Sequence, residues 1–264
     1  MGPLRFQPSE FAKPIFVLLF AHLMALRKPQ GVRGLALPLG ATAVVAALIA
    51  AEPDLGTALV FLPVAGVVLF VCGLPKRWLL VGAAVVAVTA PLGFRLLKPY
   101  QRQRLLAFMN PQKAQLTEGY QILQSEVAVG SGGLWGKGLR CGVHNALNLL
   151  PERHTDFIFS VVAEEWGFAG SVVVLCLLFG LVFWGFRCAG GADNRFSAAL
   201  GAGVATLIAV QTFVNVGMVT RMMPITGLPL PFVTYGGSAL VSSWLCAGLL
   251  SVARACRREP LMDA

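Results

Sequence analysis

Three acidic residues, Asp156, Glu164 and Glu165, stand at the start of a strongly apolar stretch of this 264-residue chain. No charged residue follows them from Trp166 to Phe186, a run long enough to cross a bilayer. A carboxyl group that loses water at the edge of such a run becomes a better proton acceptor, which suits a general base. The alternative is structural: Thr155 or Asp156 caps a helix whose dipole the two glutamates complement.

A helix over residues 156–167 would carry Asp156, Ser160 and Glu164 on one face, with Glu165 pointing the other way. At 1.5 Å per residue, Glu164 would lie about 12 Å below Asp156 along the helix axis. The spacing therefore predicts a polar face that enters the membrane from its surface.

A second charged pair lies near the N terminus, in the stretch QPSEFAKP. Glu10 and Lys13 are three residues apart, the spacing at which side chains meet on one helix face. Ionisable residues in membrane spans usually face a bundle interior and serve function, so the pair predicts a polar cavity. The alternative is an interfacial ion pair that only fixes the start of the helix. Asp54 in EPDLG is explained as an Asx-type cap at a tight turn.

Residues 98–155 are predicted to form one long loop. Within it, GYQILQSEVAV spaces Tyr120, Leu123 and Val127 at helical intervals, which predicts a short amphipathic helix on the membrane or along a cavity. The next stretch, GSGGLWGKGL, has five glycines between positions 130 and 138 but matches neither Walker A nor GxGxxG. These glycines permit close approach of backbone N–H groups to a ligand, or simply a flexible surface turn.

The composition is that of a membrane protein. Hydrophobic residues make up 56% of the chain and charged residues 12%, about half the charged fraction of soluble domains. The net charge of +9 could indicate a nucleic-acid partner, but the Lys and Arg residues cluster between apolar runs. We therefore interpret the charge as orienting the chain in a bilayer and expect no nucleic acid.

Seven membrane spans are predicted from the apolar runs. Lys and Arg residues in the short loops and in the C-terminal tail fall on one side, which the positive-inside rule makes cytoplasmic. The loop 98–155 then lies outside the cytoplasm and the C terminus inside. The N terminus also falls outside, which indicates missing spans before Met1; the alternative is a complete seven-span protein. The spans are roughly residues 11–26, 35–52, 56–74, 78–97, 157–186, 196–220 and 234–253.

Three prolines, Pro224, Pro229 and Pro231, precede the last span and forbid a regular helix there. Such backbone is tolerated at membrane depth only when it is buried in protein or lines a wet cavity. The three histidines and six cysteines form no HExxH or CxxC pattern, so neither a zinc site nor a disulfide framework is predicted.

Five stretches in the same order resemble the SEDS proteins (shape, elongation, division and sporulation). They are QPSEFAK, EPDLGTA, YQILQSEVAVGSGGLWGKGL, LPERHTDFIFSVVAEEWGFAG and PITGLPLPFVTYGGSAL. Within that family, PYQRQRLLAFMNP, GSGGL and LPERHTDFIF are more similar to the elongation branch than to the division branch. The resemblance implies an all-α polytopic membrane protein: residues 1–264 form one domain of about seven transmembrane helices, the C-terminal part of a ten-helix fold.

The activity that the resemblance implies is peptidoglycan glycosyl transfer, in which lipid II is polymerised into glycan strands and undecaprenyl pyrophosphate is released. The family's essential aspartate falls on Asp156, which would take the proton from the acceptor hydroxyl. Glu10 and Lys13 fall on the family's cavity residues. Further substrate contacts are expected from Lys137, Arg153 and Ser238. No protein-held metal site is predicted, although a divalent cation, Mg²⁺ or Mn²⁺, could stabilise the leaving group in place of Lys or Arg.

The resemblance places the chain in the bacterial inner membrane. Its expected partners are lipid II, a class B penicillin-binding transpeptidase and other membrane proteins of the elongation machinery. Two alternatives remain open: a lipid II transporter, in which Glu10 and Lys13 form part of a polar path, and an inactive truncated form that only binds partners. The chain departs from the family pattern at Glu52, where Gln is usual, and at Thr234, where Ser is common.

Overall fold

The structure is a computed structural model that describes residues 6–26, 31–52, 54–96, 98–110, 118–142 and 154–255. Within these ranges every regular element is an α-helix, so the predicted all-α fold is confirmed. The helices are α1 (Pro8–Leu26), α2 (Gly31–Ala51), α3 (Leu55–Val71), α4 (Lys76–Leu96), α5 (Pro99–Met109), α6 (Glu118–Ser131), α7 (Ile158–Gly190), α8 (Arg195–Val219) and α9 (Gly237–Ala255).

Each of the seven predicted membrane spans coincides with a helix. In the described part of the chain, α1, α2, α7, α8 and α9 are long and apolar enough to cross a bilayer. The remaining two predicted spans are α3, which is apolar but has 17 residues, and α4, with 21. The protein is therefore an integral membrane protein with several spans.

The chain divides into two compact units. The first comprises residues 1–81, 178–210 and 237–264, and the second comprises residues 82–177 and 211–236. That the whole chain is one membrane domain stays a prediction.

Aromatic and small residues form the core of the first unit. The Phe16 ring of α1 packs edge-on against Phe61 of α3, with ring centroids 4.7 Å apart, and both side chains are buried. Gly203 of α8 brings that helix close to α1, since a Cβ at this position would lie 2.7 Å from a methyl group of Val17. Small residues at such crossings let the two backbones approach closely. The resulting van der Waals packing holds helices together in lipid, where no hydrophobic driving force acts between them.

The predicted helix after residue 118 is confirmed as α6. Its face toward the protein includes the buried residues Ile122, Ser125 and Ala128, whereas Val127 is exposed. Small side chains allow the close approach that this face makes: the Ser125 hydroxyl donates to the Val219 carbonyl at the end of α8, across 3.2 Å. Apolar periodicity alone could not identify a face built from Ser and Ala.

Helix α5 was not predicted, because its sequence PYQRQRLLAFM is too polar to give an apolar pattern. It is fixed instead by its N terminus. Pro99 stands at the first helical position, and the Gln101 side chain accepts a hydrogen bond from the Lys98 backbone N–H across 2.9 Å. The stretch 98–155 is therefore partly helical rather than one continuous loop.

Candidate active site

Asp156 lies in a turn formed by residues 154–157, directly before α7 begins at Ile158. Its side chain is half-buried, while Ser160 and Glu164 on α7 are fully buried. The prediction that Asp156, Ser160 and Glu164 share one helix face is therefore wrong for Asp156, which lies outside the helix. Asp156 lies two residues before the start of α7 and therefore precedes the buried residues Ser160 and Glu164.

Three consecutive backbone carbonyl groups in this turn accept hydrogen bonds from residues distant in sequence. The donors are a backbone N–H, a hydroxyl and a side-chain amide, so the turn is held from three directions. The bonds run from Tyr235 N–H to His154 O (2.9 Å), from Thr234 Oγ1 to Thr155 O (3.4 Å) and from Asn215 Nδ2 to Asp156 O (2.8 Å). This arrangement fixes the backbone that carries Asp156.

Asn215 links two segments of the second unit. Besides Asp156 O, its Nδ2 donates to Leu228 O across 2.7 Å, and the side chain is fully buried near the end of α8. Asn215 Oδ1 has no hydrogen-bond partner among the described residues. Asn215 was not predicted as a site residue from the sequence. A polar side chain inside an apolar span is nevertheless a functional candidate, and Asn215 is one.

The proline-rich stretch lies beside the Asp156 carboxylate. Residues 223–236 contain no helix, as the prolines predicted. Gly227 adopts φ +74°, a conformation that favours glycine, and a Cβ there would lie 3.5 Å from Asp156 Oδ2. The main chain at Gly227 therefore forms part of the wall around this carboxylate.

Lys137 and Glu164 form an ion pair, with Nζ and Oε1 2.8 Å apart. Glu164 is fully buried, whereas 29% of the Lys137 side chain is exposed. From the sequence, Lys137 was predicted to contact substrate and no partner was predicted for Glu164, because the two residues are far apart in sequence. A buried carboxylate requires such a partner, so the pair has a structural role whatever else Lys137 binds.

Helix α7 is broken at Gly167, whose φ of +68° and ψ of −163° are not helical. In a continuous helix, the N–H groups of residues 168 and 169 would donate to the carbonyls of residues 164 and 165. Here the glycine-rich stretch supplies all four partners, a set of bonds that we term the Gly167 junction. Its bonds are Lys137 N–H to Glu164 O (3.0 Å), Gly138 N–H to Glu165 O (3.0 Å), Phe168 N–H to Gly133 O (2.9 Å) and Ala169 N–H to Leu134 O (3.1 Å).

The glycines of this stretch are required by their contact with α7. A Cβ at Gly132 would overlap the Ala163 carbonyl, and a Cβ at Gly136 would overlap the Glu165 carbonyl. Gly136 also has φ +78°, which disfavours other residues. The close approach that the glycines permit is thus made to the chain's own helix, and the stretch is not a free surface turn.

The predicted pair of Glu10 and Lys13 is present in the first unit. Lys13 Nζ lies 2.6 Å from Glu10 Oε2, and both side chains are almost completely buried. The angles are not those of a hydrogen bond, and Nζ has no acceptor among the described residues. The Glu10 carbonyl accepts a bond from the Ser242 hydroxyl of α9 across 2.8 Å. The pair therefore lies within helix packing rather than at an exposed surface.

Three helix starts meet at one end of the first unit. The Gln7 N–H donates to Ser238 Oγ across 3.2 Å, and the Ser9 hydroxyl donates to Asp54 Oδ2 across 3.1 Å. Asp54 also accepts from the Thr57 N–H across 3.0 Å, so the predicted cap is confirmed. Ser238, a predicted substrate contact, therefore lies at the same end of this unit as the start of α1.

The predicted site residues are divided between the units: Asp156 and Lys137 belong to the second, and Glu10, Lys13 and Ser238 to the first. Arg153 lies outside the described residues. Within those residues, no group of three or more His, Cys, Asp or Glu side chains could hold a metal ion. Mg²⁺ and Mn²⁺ need several oxygen ligands. The described side chains therefore do not by themselves fit a resident cation.

Sequence and structure comparisons give consistent results. A family model for FtsW, RodA and SpoVE, described as "Cell cycle protein", matches residues 1–259. The peptidoglycan glycosyltransferase MrdB of Escherichia coli K12 is 42% identical over 247 residues, which cover 91% of this chain and 66% of MrdB. Stage V sporulation protein E of Bacillus subtilis is 36% identical, covering 96% of this chain and 70% of that protein.

The chain is also similar to several solved structures. One is described by the words "Structural coordination of polymerization and crosslinking by a peptidoglycan synthase complex"; it has a TM-score of 0.80 and 36% identity, covering 98% of this chain and 73% of the other. Another is the rod shape determining protein RodA of Thermus thermophilus, with a TM-score of 0.67, 35% identity, and coverage of 98% and 69%. The chain thus spans slightly less than two thirds of MrdB and about seven tenths of these two chains.

Proposed function

Because this chain belongs to the FtsW, RodA and SpoVE family of cell cycle proteins, we propose that it is a peptidoglycan glycosyltransferase. It polymerises lipid II into glycan strands during cell elongation. The observation that carries this proposal is the position of Asp156: a half-buried carboxylate on a turn whose three successive carbonyl groups are held by Asn215, Thr234 and Tyr235.

Asp156 acts as the general base in this mechanism. The sugar hydroxyl of the acceptor gives its proton to the carboxylate as the hydroxyl oxygen attacks the anomeric carbon of the donor. The bond from that carbon to the lipid pyrophosphate breaks, and the pyrophosphate leaves with the electron pair. A base on a fixed turn loses little freedom when the acceptor binds, so its geometry is ready for proton transfer.

Asn215 acts through Asp156 as a positioning residue. It holds the main chain of the base and, through Leu228 O, the stretch that contains Gly227. Both segments border the Asp156 carboxylate, so a shift of either changes the approach of the acceptor hydroxyl.

Cationic side chains stabilise the departing pyrophosphate. Lys137 is one candidate, since its side chain is partly exposed while its Nζ contacts Glu164. Lys13 stays a predicted contact, because its side chain is buried within the helix packing of the first unit. Arg153 and Ser238 complete the proposed substrate contacts.

We also propose an orientation and a partner. The stretch 98–155 faces the outside of the inner membrane and the C terminus faces the cytoplasm, as the distribution of Lys and Arg requires. Glycan strands must be crosslinked after they are made, so the protein works with a class B penicillin-binding transpeptidase and other membrane proteins of the elongation machinery.

The proposal is tested with purified protein and lipid II in vesicles. Because the chain spans 66% of MrdB, it is assayed both alone and fused to the part of MrdB that it does not match. Glycan strands in either assay, separated by length on a gel, support the proposal. Transbilayer movement of lipid II without polymer would instead identify a transporter, and failure of both activities in the well-folded fusion protein would leave a partner-binding role.

A further inference from the structure

Four large apolar side chains around the Gly167 junction are exposed. We term them the Trp135 surface: Leu134 (67% exposed), Trp135 (83%), Trp166 (52%) and Phe168 (64%). Exposed apolar side chains that cluster in this way mark a contact with a membrane or another protein. The hydrogen bonds of the Gly167 junction favour the membrane over a protein partner, because they place this surface at a known position along α7.

The charge-free run from Trp166 to Phe186 defines a depth scale along α7. Its helical part beyond the break, from Phe168 to Phe186, spans about 28 Å, which is close to a bilayer hydrocarbon core of about 30 Å. Trp166 therefore stands at one membrane boundary. Phe168 and Ala169 begin the helical segment beyond the break at Gly167, so they lie on the membrane side of this boundary.

The Gly167 junction brings the glycine-rich stretch to this depth. Gly133 O and Leu134 O accept hydrogen bonds from the N–H groups of Phe168 and Ala169, across 2.9 and 3.1 Å. The backbone at residues 133 and 134 therefore lies as deep as the residues to which it is bonded. Trp135 follows directly and is the most exposed side chain of the surface.

Several backbone groups of the stretch have hydrogen-bond partners. Non-helical backbone at membrane depth requires partners for its N–H and C=O groups. The junction provides four bonds, and a fifth runs from the Gly136 N–H to Gly132 O across 2.8 Å. The single charge between residues 132 and 138, on Lys137, is neutralised by Glu164.

We propose that residues 132–138 form a re-entrant loop that inserts into the membrane interface, with Trp135 in contact with lipid. The partner of the Trp135 surface is the boundary between lipid head groups and acyl chains, where Trp side chains concentrate because the ring is amphipathic. The loop anchors this end of α7 at a fixed height. The proposal does not depend on the chemistry at Asp156.

A spin label measures the depth directly. Trp135→Cys is made in a cysteine-free background, labelled, and reconstituted as the purified protein in phosphatidylcholine and phosphatidylglycerol vesicles. Accessibility to oxygen, which enters lipid, is compared with accessibility to a water-soluble nickel chelate. Leu177→Cys, exposed within the charge-free run, is the lipid control. Asp193→Cys, exposed in the turn between α7 and α8, is the water control.

The proposal predicts that the label at position 135 resembles Leu177→Cys more than Asp193→Cys, with oxygen favoured over nickel. Nickel accessibility equal to that at position 193 would overturn it. Shielding from both reagents would overturn it too, because the surface would then be covered by another copy of the chain.

A second measurement needs no cysteine-free protein. Tryptophan fluorescence of the native protein and of Trp135→Phe is recorded in vesicles whose lipids carry bromine at defined acyl positions. The difference between the two proteins isolates Trp135. Bromine near the head group should quench this difference signal more than bromine near the chain end, and equal, negligible quenching at every position would contradict lipid contact.

Discussion

The side-chain amide of Asn215 donates a hydrogen bond to the backbone carbonyl of Asp156 across 2.8 Å, from within a membrane-spanning helix. The amide also holds Leu228 O, so one buried polar side chain joins α8, the turn before α7 and the proline-rich stretch. The turn that carries the proposed base is thus positioned by a helix far away in sequence. The role of Asp156 as a base can therefore be tested by variants of Asp156 and by variants of Asn215.

Asp156→Asn removes the proton acceptor while it keeps the size of the side chain and its ability to cap a helix. If Asp156 is the base, polymerisation of lipid II should fall about 10²-fold or more. If it only caps α7, little should change, since Asn caps a helix about as well as Asp. The measurement is the rate of glycan formation by matched amounts of purified wild type and variant, with membrane levels compared in parallel. An unchanged rate would assign Asp156 a structural role.

Asn215→Leu leaves two buried carbonyls, Asp156 O and Leu228 O, without this donor. Each such loss costs about 1–3 kcal/mol, so the variant should unfold at a lower temperature. A positioning role further predicts that kcat falls in the remaining folded protein while KM for lipid II changes little. Thr212→Val on the same helix is the matched control, because Thr212 Oγ1 is buried without a hydrogen-bond partner among the described residues. A change in stability alone, with normal kcat, would show that Asn215 does not position the base.

Lys137→Met should destabilise the second unit, because it removes a cation that lies 2.8 Å from the buried carboxylate of Glu164. The double variant with Glu164→Gln should recover much of that loss. The coupling is measured from thermal unfolding of both single variants and the double variant in detergent. Arg221 and Glu126 provide an exposed ion pair of 3.0 Å for comparison, where Arg221→Ala should cost about 1 kcal/mol or less. Additive losses at positions 137 and 164 would mean that the pair does not couple.

Gly136→Ala should break the Gly167 junction, since the new methyl group overlaps the Glu165 carbonyl and the residue has positive φ. We expect a loss of about 1–3 kcal/mol, the range typical of overpacking and backbone strain. Gly130→Ala is the control: it lies in α6 with no atom near its would-be Cβ, and should be neutral or slightly stabilising. Equal stability of the two variants, measured by thermal unfolding, would contradict the assigned role of Gly136.

Local patterns in the sequence predicted much of the fold. Apolar runs identified seven of the nine described helices, and the three-residue spacing identified the pair of Glu10 and Lys13. Asp54 was recognised as a cap because it follows a proline at a tight turn, and the N–H that it caps, that of Thr57, is three residues away. All of these features depend on residues close in sequence, where spacing determines contact.

Features that depend on distant residues were missed. The partner of Glu164 is 27 residues away, and the donor to Asp156 O is 59 residues away. No periodicity within one segment identifies such a partner. The break at Gly167 was also missed, because an apolar run looks the same whether the helix within it is straight or bent.

The Gly167 junction has a consequence for the order of assembly at the ribosome. The glycine-rich stretch is synthesised before α7, so the groups that pair with Glu164 O, Glu165 O, Phe168 N–H and Ala169 N–H have already emerged when the break itself emerges. Helix α7 can therefore enter the bilayer bent, without a period in which the backbone groups at the break stay unpaired at the membrane boundary. With the segments in the opposite order, the same bend would have to wait for its partner inside the membrane.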